Sequence, residues 1–95
     1  PFGLLAGIIV SGTDERLVDA AASALGRSAP RSAEVQILGP APAPMAVLRG
    51  RHRRRFLVKA GRSVNIQERV RHWLRNTSLP KKVRVQTDVD PYSFL

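Results

Sequence analysis

The N-terminal segment begins with an apolar run and continues with apolar positions at helical spacing. The run from Gly3 to Val10 is almost continuously apolar, which is typical of a short strand buried on both faces. Ser11-Gly12 ends this strand, and Thr13 or Asp14 can cap a helix that follows it. The helix is predicted to end at Gly26. Its apolar stripe is predicted to consist of Leu17, Ala20, Ala21, Ala24 and Leu25.

The middle of the chain predicts two further strands separated by a loop. Residues 34–38 form a short apolar segment that is typical of a strand. The prolines of the segment 39–44 fix φ and cannot donate to a strand ladder, so this segment is predicted to be an extended loop. The third strand is predicted to begin within a run of basic residues and to continue through Phe56 to Ala60, where Gly61 ends it.

The C-terminal third predicts a second helix and a fourth strand. Ser63 is a plausible N-cap. The apolar stripe of this helix is predicted to be Ile66, Val70, Trp73 and Leu74. After Pro80, apolar or small positions alternate with polar ones, which predicts a strand with one covered face. The covered positions are predicted to be Val83, Val85, Thr87 and Val89.

The resulting order, β-α-β-β-α-β, predicts an α+β fold in which two helices pack on one face of a four-stranded sheet. Ninety-five residues fit a single domain, residues 1–95. No apolar run approaches the roughly 20 residues of a membrane-spanning helix, and no signal peptide is recognisable. Because the first residue is Pro1 and not Met, we expect the sequence to be a piece of a longer chain.

Charge is distributed very unevenly along the chain. The net charge is +9. The segment 1–48 carries three basic and four acidic residues, whereas the segment 49–95 carries thirteen basic and three acidic residues. Such a one-sided excess favours polyanionic partners, because each neutralised phosphate releases counterions. Nucleic acid is therefore the predicted partner.

The basic run at 49–55 is the main candidate for binding. On a strand, Arg51, Arg53 and Arg55 would share one face with Leu57, and Arg54 would lie on the other face. Arginine forms planar, forked pairs with phosphate. An alternative is that the run only protects a solvated edge strand. The residues predicted to bind DNA are Arg49, Arg51, Arg53, Arg54, Arg55, Lys81 and Lys82. Basic residues that could extend this patch are Arg71, Arg75 and Arg84.

Candidate catalytic or metal chemistry is sparse in the sequence. There are no cysteines, and neither His52 nor His72 has a second ligand at metal-binding spacing. No phosphate-binding glycine-rich loop occurs. Asp88 and Asp90 would share a strand face, but two carboxylates supply too few oxygen ligands for a hard cation. We therefore predict that this chain is not itself an enzyme and holds no cofactor. The third strand also lacks the aromatic platform of an RNA-recognition module.

Several short motifs resemble a known family. They are a GPAPAP-like segment at 38–44, an LRGR-like corner at 48–51, the segment 55–59, and the ending Asp88-Val89-Asp90-Pro91. With the opening Pro1-Phe2-Gly3, they resemble the extreme C-terminal domain of the bacterial primosomal protein N′ family, the PriA replication-restart helicases. The resemblance covers essentially the whole chain.

The resemblance implies properties that these residues alone do not show. Family members are ATP-dependent 3′ to 5′ DNA helicases that bind branched DNA at stalled forks and restart replication by primosome assembly. Their ATP-binding motifs, which use magnesium, and their zinc-binding cysteines would lie in other parts of the parent protein. The C-terminal domain would share the fold of a small-subunit ribosomal protein. The localisation implied is the bacterial cytoplasm.

The resemblance also implies protein partners. They are the acidic C-terminal tail of single-stranded-DNA-binding protein, other primosome proteins and the helicase core of the same chain. The tail pocket of the family uses an Arg and a Gln one turn apart at the start of the second helix. Gln67 matches the Gln; the Arg position falls on Ser63, and the neighbouring Arg62 is predicted to replace it.

Two other functions fit the same pattern. One is a ribosomal or RNA-binding structural protein with this fold. The other is a protein-interaction domain whose basic patch meets acidic partners. Competition between forked DNA and ribosomal RNA would distinguish a DNA-binding domain from an RNA-binding structural protein. A lack of nucleic-acid affinity at low salt would favour the protein-interaction domain.

Overall fold

The computed structural model describes residues 3–90 and confirms the predicted α+β order. The motif residues Pro1, Phe2 and Pro91 lie outside this range. The strands form one antiparallel sheet in the order β2-β3-β1-β4. The elements are β1 (Leu4–Gly12), α1 (Glu15–Ser28), β2 (Val35–Leu48), β3 (Arg51–Ala60), α2 (Ile66–Arg75) and β4 (Arg84–Asp90).

The core lies between the two helices and one face of the sheet. Alternate residues of the central strands β1 and β3 point into it, as the two-residue period of a strand requires. Trp73 of α2 packs edge-to-face on Phe56 with 5.2 Å between ring centroids. Its Nε1 donates to the Leu25 carbonyl oxygen at 3.0 Å and to Ser28 Oγ at 3.1 Å. Trp73 thereby ties α2 to both α1 and the sheet. The sheet residues of the core are Ala6, Ile8, Val10, Val35, Phe56, Val58 and Ala60.

The expectation that β1 is buried on both faces is wrong. Ala6, Ile8 and Val10 are fully buried, but Leu5 and Ile9 on the opposite face are only half-buried. Both described helices lie on the same side of the sheet, so the alternate residues of β1 form part of an open sheet face.

Helix α1 forms where predicted, but its buried stripe and its end differ from the prediction. Asp14 is the N-cap, and its Oδ1 accepts from the backbone N of Arg16 at 3.0 Å. Ala20 is exposed. The helix passes Gly26 and ends at Ser28, because Pro30 disfavours helical backbone at Ala29. The buried positions are Val18, Ala21, Ala22 and Leu25.

Helix α2 has the predicted apolar stripe but a different cap. Ile66, Val70 and Trp73 are buried, and Leu74 packs against the core. The N-cap is Asn65 and not Ser63: Asn65 Oδ1 accepts from the backbone N of Glu68 at 3.1 Å. The residues before Asn65 form a turn in which the backbone N of Val64 donates to the carbonyl of Gly61.

The proline segment is a strand and not a loop. Strand β2 runs through Pro40, Pro42 and Pro44 to Leu48. Prolines are tolerated there because β2 lies at the edge of the sheet, where not every backbone N–H must donate to a neighbouring strand. The bulges of β2 also interrupt its hydrogen-bond ladder. At the first bulge, residues 39–40 lie opposite Phe56 alone.

Strand β4 confirms the predicted alternation in most positions. Val83, Val85 and Val89 pack against the core on the side of the helices, whereas Thr87 is exposed. Neither helix among residues 3–90 is long and apolar enough to cross a membrane.

Candidate functional site

Strands β2 and β3 form a long hairpin whose tip is basic. Leu48 pairs with Arg51, so the turn contains only Arg49 and Gly50. Both turn residues have positive φ, 52° and 75°, as in the type I′ turn that matches the twist of paired strands. Arg49 is exposed at the tip.

The open face of the sheet gathers arginines from two strands. Arg53 of β3 and Arg84 of β4 are both paired with Ser11 of the central strand β1, so the three residues form one row across the sheet. Arg55 is paired with Ile9 in the next row. This surface is called the arginine face, and it consists of Arg49, Arg51, Arg53, Arg55 and Arg84.

The lysines that precede β4 lie at the same end of the sheet. A Cβ on Gly12, the last residue of β1, would be 3.3 Å from the carbonyl oxygen of Lys82. Lys81 and Lys82 are exposed. The fold therefore brings the predicted lysines to the end of the sheet where Arg84 begins β4, although they are remote from the hairpin in sequence.

Two arginines of this face are held by neutral acceptors. Arg51 Nη2 donates to the carbonyl oxygen and to Oγ of Ser11, both at 3.1 Å. Arg53 Nη1 donates to the carbonyl oxygens of Pro44 at 2.9 Å and Met45 at 3.2 Å. Among the described side chains, which belong to residues 3–89, no carboxylate forms an ion pair with an arginine of the face. These contacts orient the guanidinium groups but leave their positive charge uncompensated.

Arg54 is placed differently from its neighbours. It lies on the helix side of β3, where its Nε donates to Asp19 Oδ1 at 2.8 Å and its Nη2 donates to Glu15 Oε2 at 3.1 Å. Its side chain is only 15% exposed. Two carboxylates of α1 thus balance its charge, and the contact ties β3 to α1. His52 lies beside the same Glu15, with 3.8 Å between Nδ1 and Oε2.

The hairpin contains a second, larger bulge beside Arg53. Pro42 pairs with Arg54 and Val47 pairs with His52, so residues 43–46 lie opposite Arg53 alone. Met45 in this bulge has a φ of 55°, a left-handed backbone that costs a non-glycine residue about 1–2 kcal/mol. Its side chain is 65% exposed. The two hydrogen bonds from Arg53 hold this strained segment in place.

The two residues predicted to bind a protein tail are not in the same groove. Gln67 lines a groove of about 390 Å³ between α2 and β4. Arg62 is not among the lining residues; its side chain lies against Gly3, where a Cβ would collide with it. The groove is lined by Gln67, Val70, Arg71, Leu74, Thr87 and Val89.

Arg71 is the groove residue that the sequence prediction did not assign to the tail. It follows Gln67 by four residues, so the two polar side chains lie one helical turn apart on α2. Val70 and Leu74 supply apolar surface beside them. The four-residue spacing of Gln67 and Arg71 indicates that the two side chains lie on one face of α2. The sequence does not show that this face lines a groove, because the groove forms only where β4 packs beside α2. Neither Arg71 nor Arg75 lies on the arginine face, because both belong to the helix layer.

Among the side chains that the structure describes, those of residues 3–89, no group of three or more potential metal ligands occurs. The arginine face and the groove are therefore the two surfaces whose composition indicates binding.

Comparison with known proteins gives consistent matches over the whole chain. The model of the family described as Primosomal protein N C-terminal domain matches residues 1–92. The chain is 38% identical over 94 residues to the replication restart protein PriA of Rickettsia felis, and 37% and 35% identical to those of Rickettsia conorii and Rickettsia prowazekii. Each alignment covers 99% of this chain but 14% of the relative.

Proposed function

This chain belongs to the primosomal protein N C-terminal domain family, and on that premise we propose that it is the DNA- and partner-binding domain of a replication-restart helicase. The arginine face is its DNA-binding surface. In this proposal the parent protein is an ATP-dependent 3′ to 5′ helicase that recognises branched or stalled forks and restarts replication by primosome assembly. ATP, magnesium and zinc would be bound by other parts of that protein.

The uncompensated charge of the arginine face carries the proposal. Arg55 and Arg84 are exposed and lie in adjacent rows of the sheet, close to Arg53. Guanidinium groups bind phosphate oxygens through planar, charge-assisted hydrogen bonds. Such contacts position a nucleic-acid backbone and carry little sequence information. A domain that binds in this way recognises DNA by its shape and charge, as a protein that acts at forks of any sequence requires.

The first test removes two charges from the arginine face without disturbing the fold. Arg55→Ala with Arg84→Ala should weaken binding to forked DNA by roughly 10-fold or more at low salt, since charge-assisted hydrogen bonds contribute about 1.5–3 kcal/mol each. Arg27→Ala with Arg31→Ala is the matched control, because it removes the same charge from exposed positions outside the face. Equal affinities for the two double variants would contradict the proposal.

Competition with RNA separates the proposal from the ribosomal alternative. A large excess of structured ribosomal RNA should displace forked DNA less effectively than unlabelled forked DNA does. Preferential displacement by RNA would favour an RNA-binding role on the same surface.

We also propose that the groove between α2 and β4 receives the acidic, apolar tail of single-stranded-DNA-binding protein. Val70 and Leu74 would contact apolar side chains of the tail, while Arg71 and Gln67 would bind its carboxylates. Arg62 remains a predicted tail residue, but its position outside the groove favours Arg71. The helicase core would complete the pocket, and other primosome proteins would bind the assembled protein.

The tail proposal is tested in the full-length protein with a peptide of the tail sequence. Gln67→Ala and Arg71→Ala should each weaken peptide binding several-fold, because each removes a polar contact. Arg62→Ala should have the smaller effect. Unchanged peptide affinity in both groove variants would exclude the groove as the tail site, and loss of affinity in Arg62→Ala alone would restore the original assignment.

A further inference from the structure

Met45 combines a strained backbone conformation with an exposed apolar side chain. Its backbone is held in the left-handed region, at a φ of 55°, and its side chain is 65% exposed. Buried packing therefore does not explain why an apolar residue is kept in this conformation. Strained backbone conformations of this kind persist only where contacts with the surrounding structure hold them in place. They occur frequently at functional sites.

The bulge that presents Met45 is fixed and not loose. Arg53 donates to the carbonyl oxygens of both Pro44 and Met45, and Ala43 on the other side of Pro44 is buried. Val47, two residues later, pairs with His52 and therefore lies outside the bulge, on the side of the helices. The bulge thus presents one exposed apolar side chain, Met45, on a rigid backbone; this side chain is called the apolar wedge.

The surroundings of the apolar wedge are strongly basic. Residues 35–60, which form both strands of the hairpin, contain six basic residues and no acidic one. Arg49 and Arg51 lie within a few residues of the wedge along the hairpin. An exposed apolar side chain on a cationic hairpin is complementary to a nucleic acid, which offers apolar base faces between rows of phosphates.

We propose that the apolar wedge contacts the open base face at the branch point of forked DNA. The inference rests on the proposed DNA binding and identifies the DNA feature that the hairpin would recognise. At a branch, the last base pair has only one stacking neighbour, so an apolar side chain can cover its open face at little cost. Architectural proteins use Met, Leu and Pro side chains in the same way when they insert between base steps. The arginines hold the flanking phosphates and bring the wedge to the branch.

The test compares a fork with a continuous duplex of equal length and charge. The fork carries 2-aminopurine in the base pair next to the branch, so that a change in stacking changes its fluorescence. Met45→Asn removes the apolar contact, and Asn tolerates the left-handed backbone at position 45. The full chain with this substitution should lose roughly 10-fold in its preference for the fork, as expected when one apolar side chain is no longer covered. It should also lose the fluorescence change on binding.

Two controls separate this inference from the DNA-binding proposal itself. Leu38→Asn alters an apolar residue of the same strand that is 41% exposed but lies outside the bulge, and it should leave fork preference unchanged. Met45→Leu should retain the preference, because the apolar surface is kept. If the Met45→Asn variant binds fork and duplex as the unaltered chain does, with the same fluorescence change, the wedge is excluded while DNA binding stands. If the unaltered chain binds neither DNA, both proposals fail.

Discussion

Arg53 and Arg54 are neighbours in sequence but have opposite surroundings in the folded domain. Arg53 lies on the open face and is held by two carbonyl oxygens, whereas Arg54 lies on the helix side and is paired with Glu15 and Asp19. The alternation of a strand predicts that the two face opposite ways. It does not predict which side carries carboxylates, because these belong to a helix that is remote from β3 in the chain.

Gly39 allows the first bulge of β2, and its replacement provides a prediction at the scale of one residue. Its φ is +124°, and a Cβ would lie 2.7 Å from the carbonyl oxygen of Arg55. Gly39→Ala should therefore lower the free energy of unfolding by about 1–3 kcal/mol. Gly61→Ala is the control, since a Cβ there meets nothing within 4 Å. Urea denaturation that gives the same stability for both variants would refute this account of the bulge.

At the scale of elements, the hydrophobic periodicity predicted the order of helices and strands. Tertiary packing determined which helix face is buried and whether the proline segment forms a strand. The stripe of α2 followed directly from its spacing and is confirmed. In α1 the stripe was misassigned, because several alanines fit more than one helical face and only contact with the sheet selects Val18, Ala21 and Leu25. The prolines of β2 were interpreted as a loop. Their tolerance depends on the position of β2 at the sheet edge, which is a property of the whole sheet.

Trp73 provides the prediction at the element scale, because it connects α2 to α1 and to the sheet. The ring is 2% exposed, packs on Phe56, and donates to the carbonyl of Leu25. Trp73→Ala should lower the free energy of unfolding by about 3–5 kcal/mol, because it removes buried apolar surface and leaves a cavity. Arg75→Ala, an exposed position on the same helix, should change it by about 0.5 kcal/mol or less. Thermal unfolding that shows similar destabilisation for both would contradict this role.

At the scale of the whole molecule, the fold places the two proposed binding surfaces on opposite faces of the sheet. The helix layer closes the core and contains the groove of Gln67 and Arg71, while the open sheet face carries the arginines. The charge asymmetry of the sequence predicted a polyanion surface. Of the three arginines that could extend the hairpin patch, Arg71, Arg75 and Arg84, only Arg84 lies on the same face, because β4 and β3 both pair with β1. The charge pattern alone could not make that selection.

The salt dependence of DNA binding tests the central claim most directly. Removal of one phosphate-binding arginine should reduce the slope of log affinity against log salt by about 0.9 on duplex DNA. Arg55→Ala with Arg84→Ala should therefore give a slope shallower by about 1–2 on forked DNA. Arg53 is left intact in this variant because it holds the bulge. Arg27→Ala with Arg31→Ala should leave the slope unchanged. If both double variants retain the original slope and affinity while circular dichroism shows them folded, the arginine face is not the DNA-binding surface.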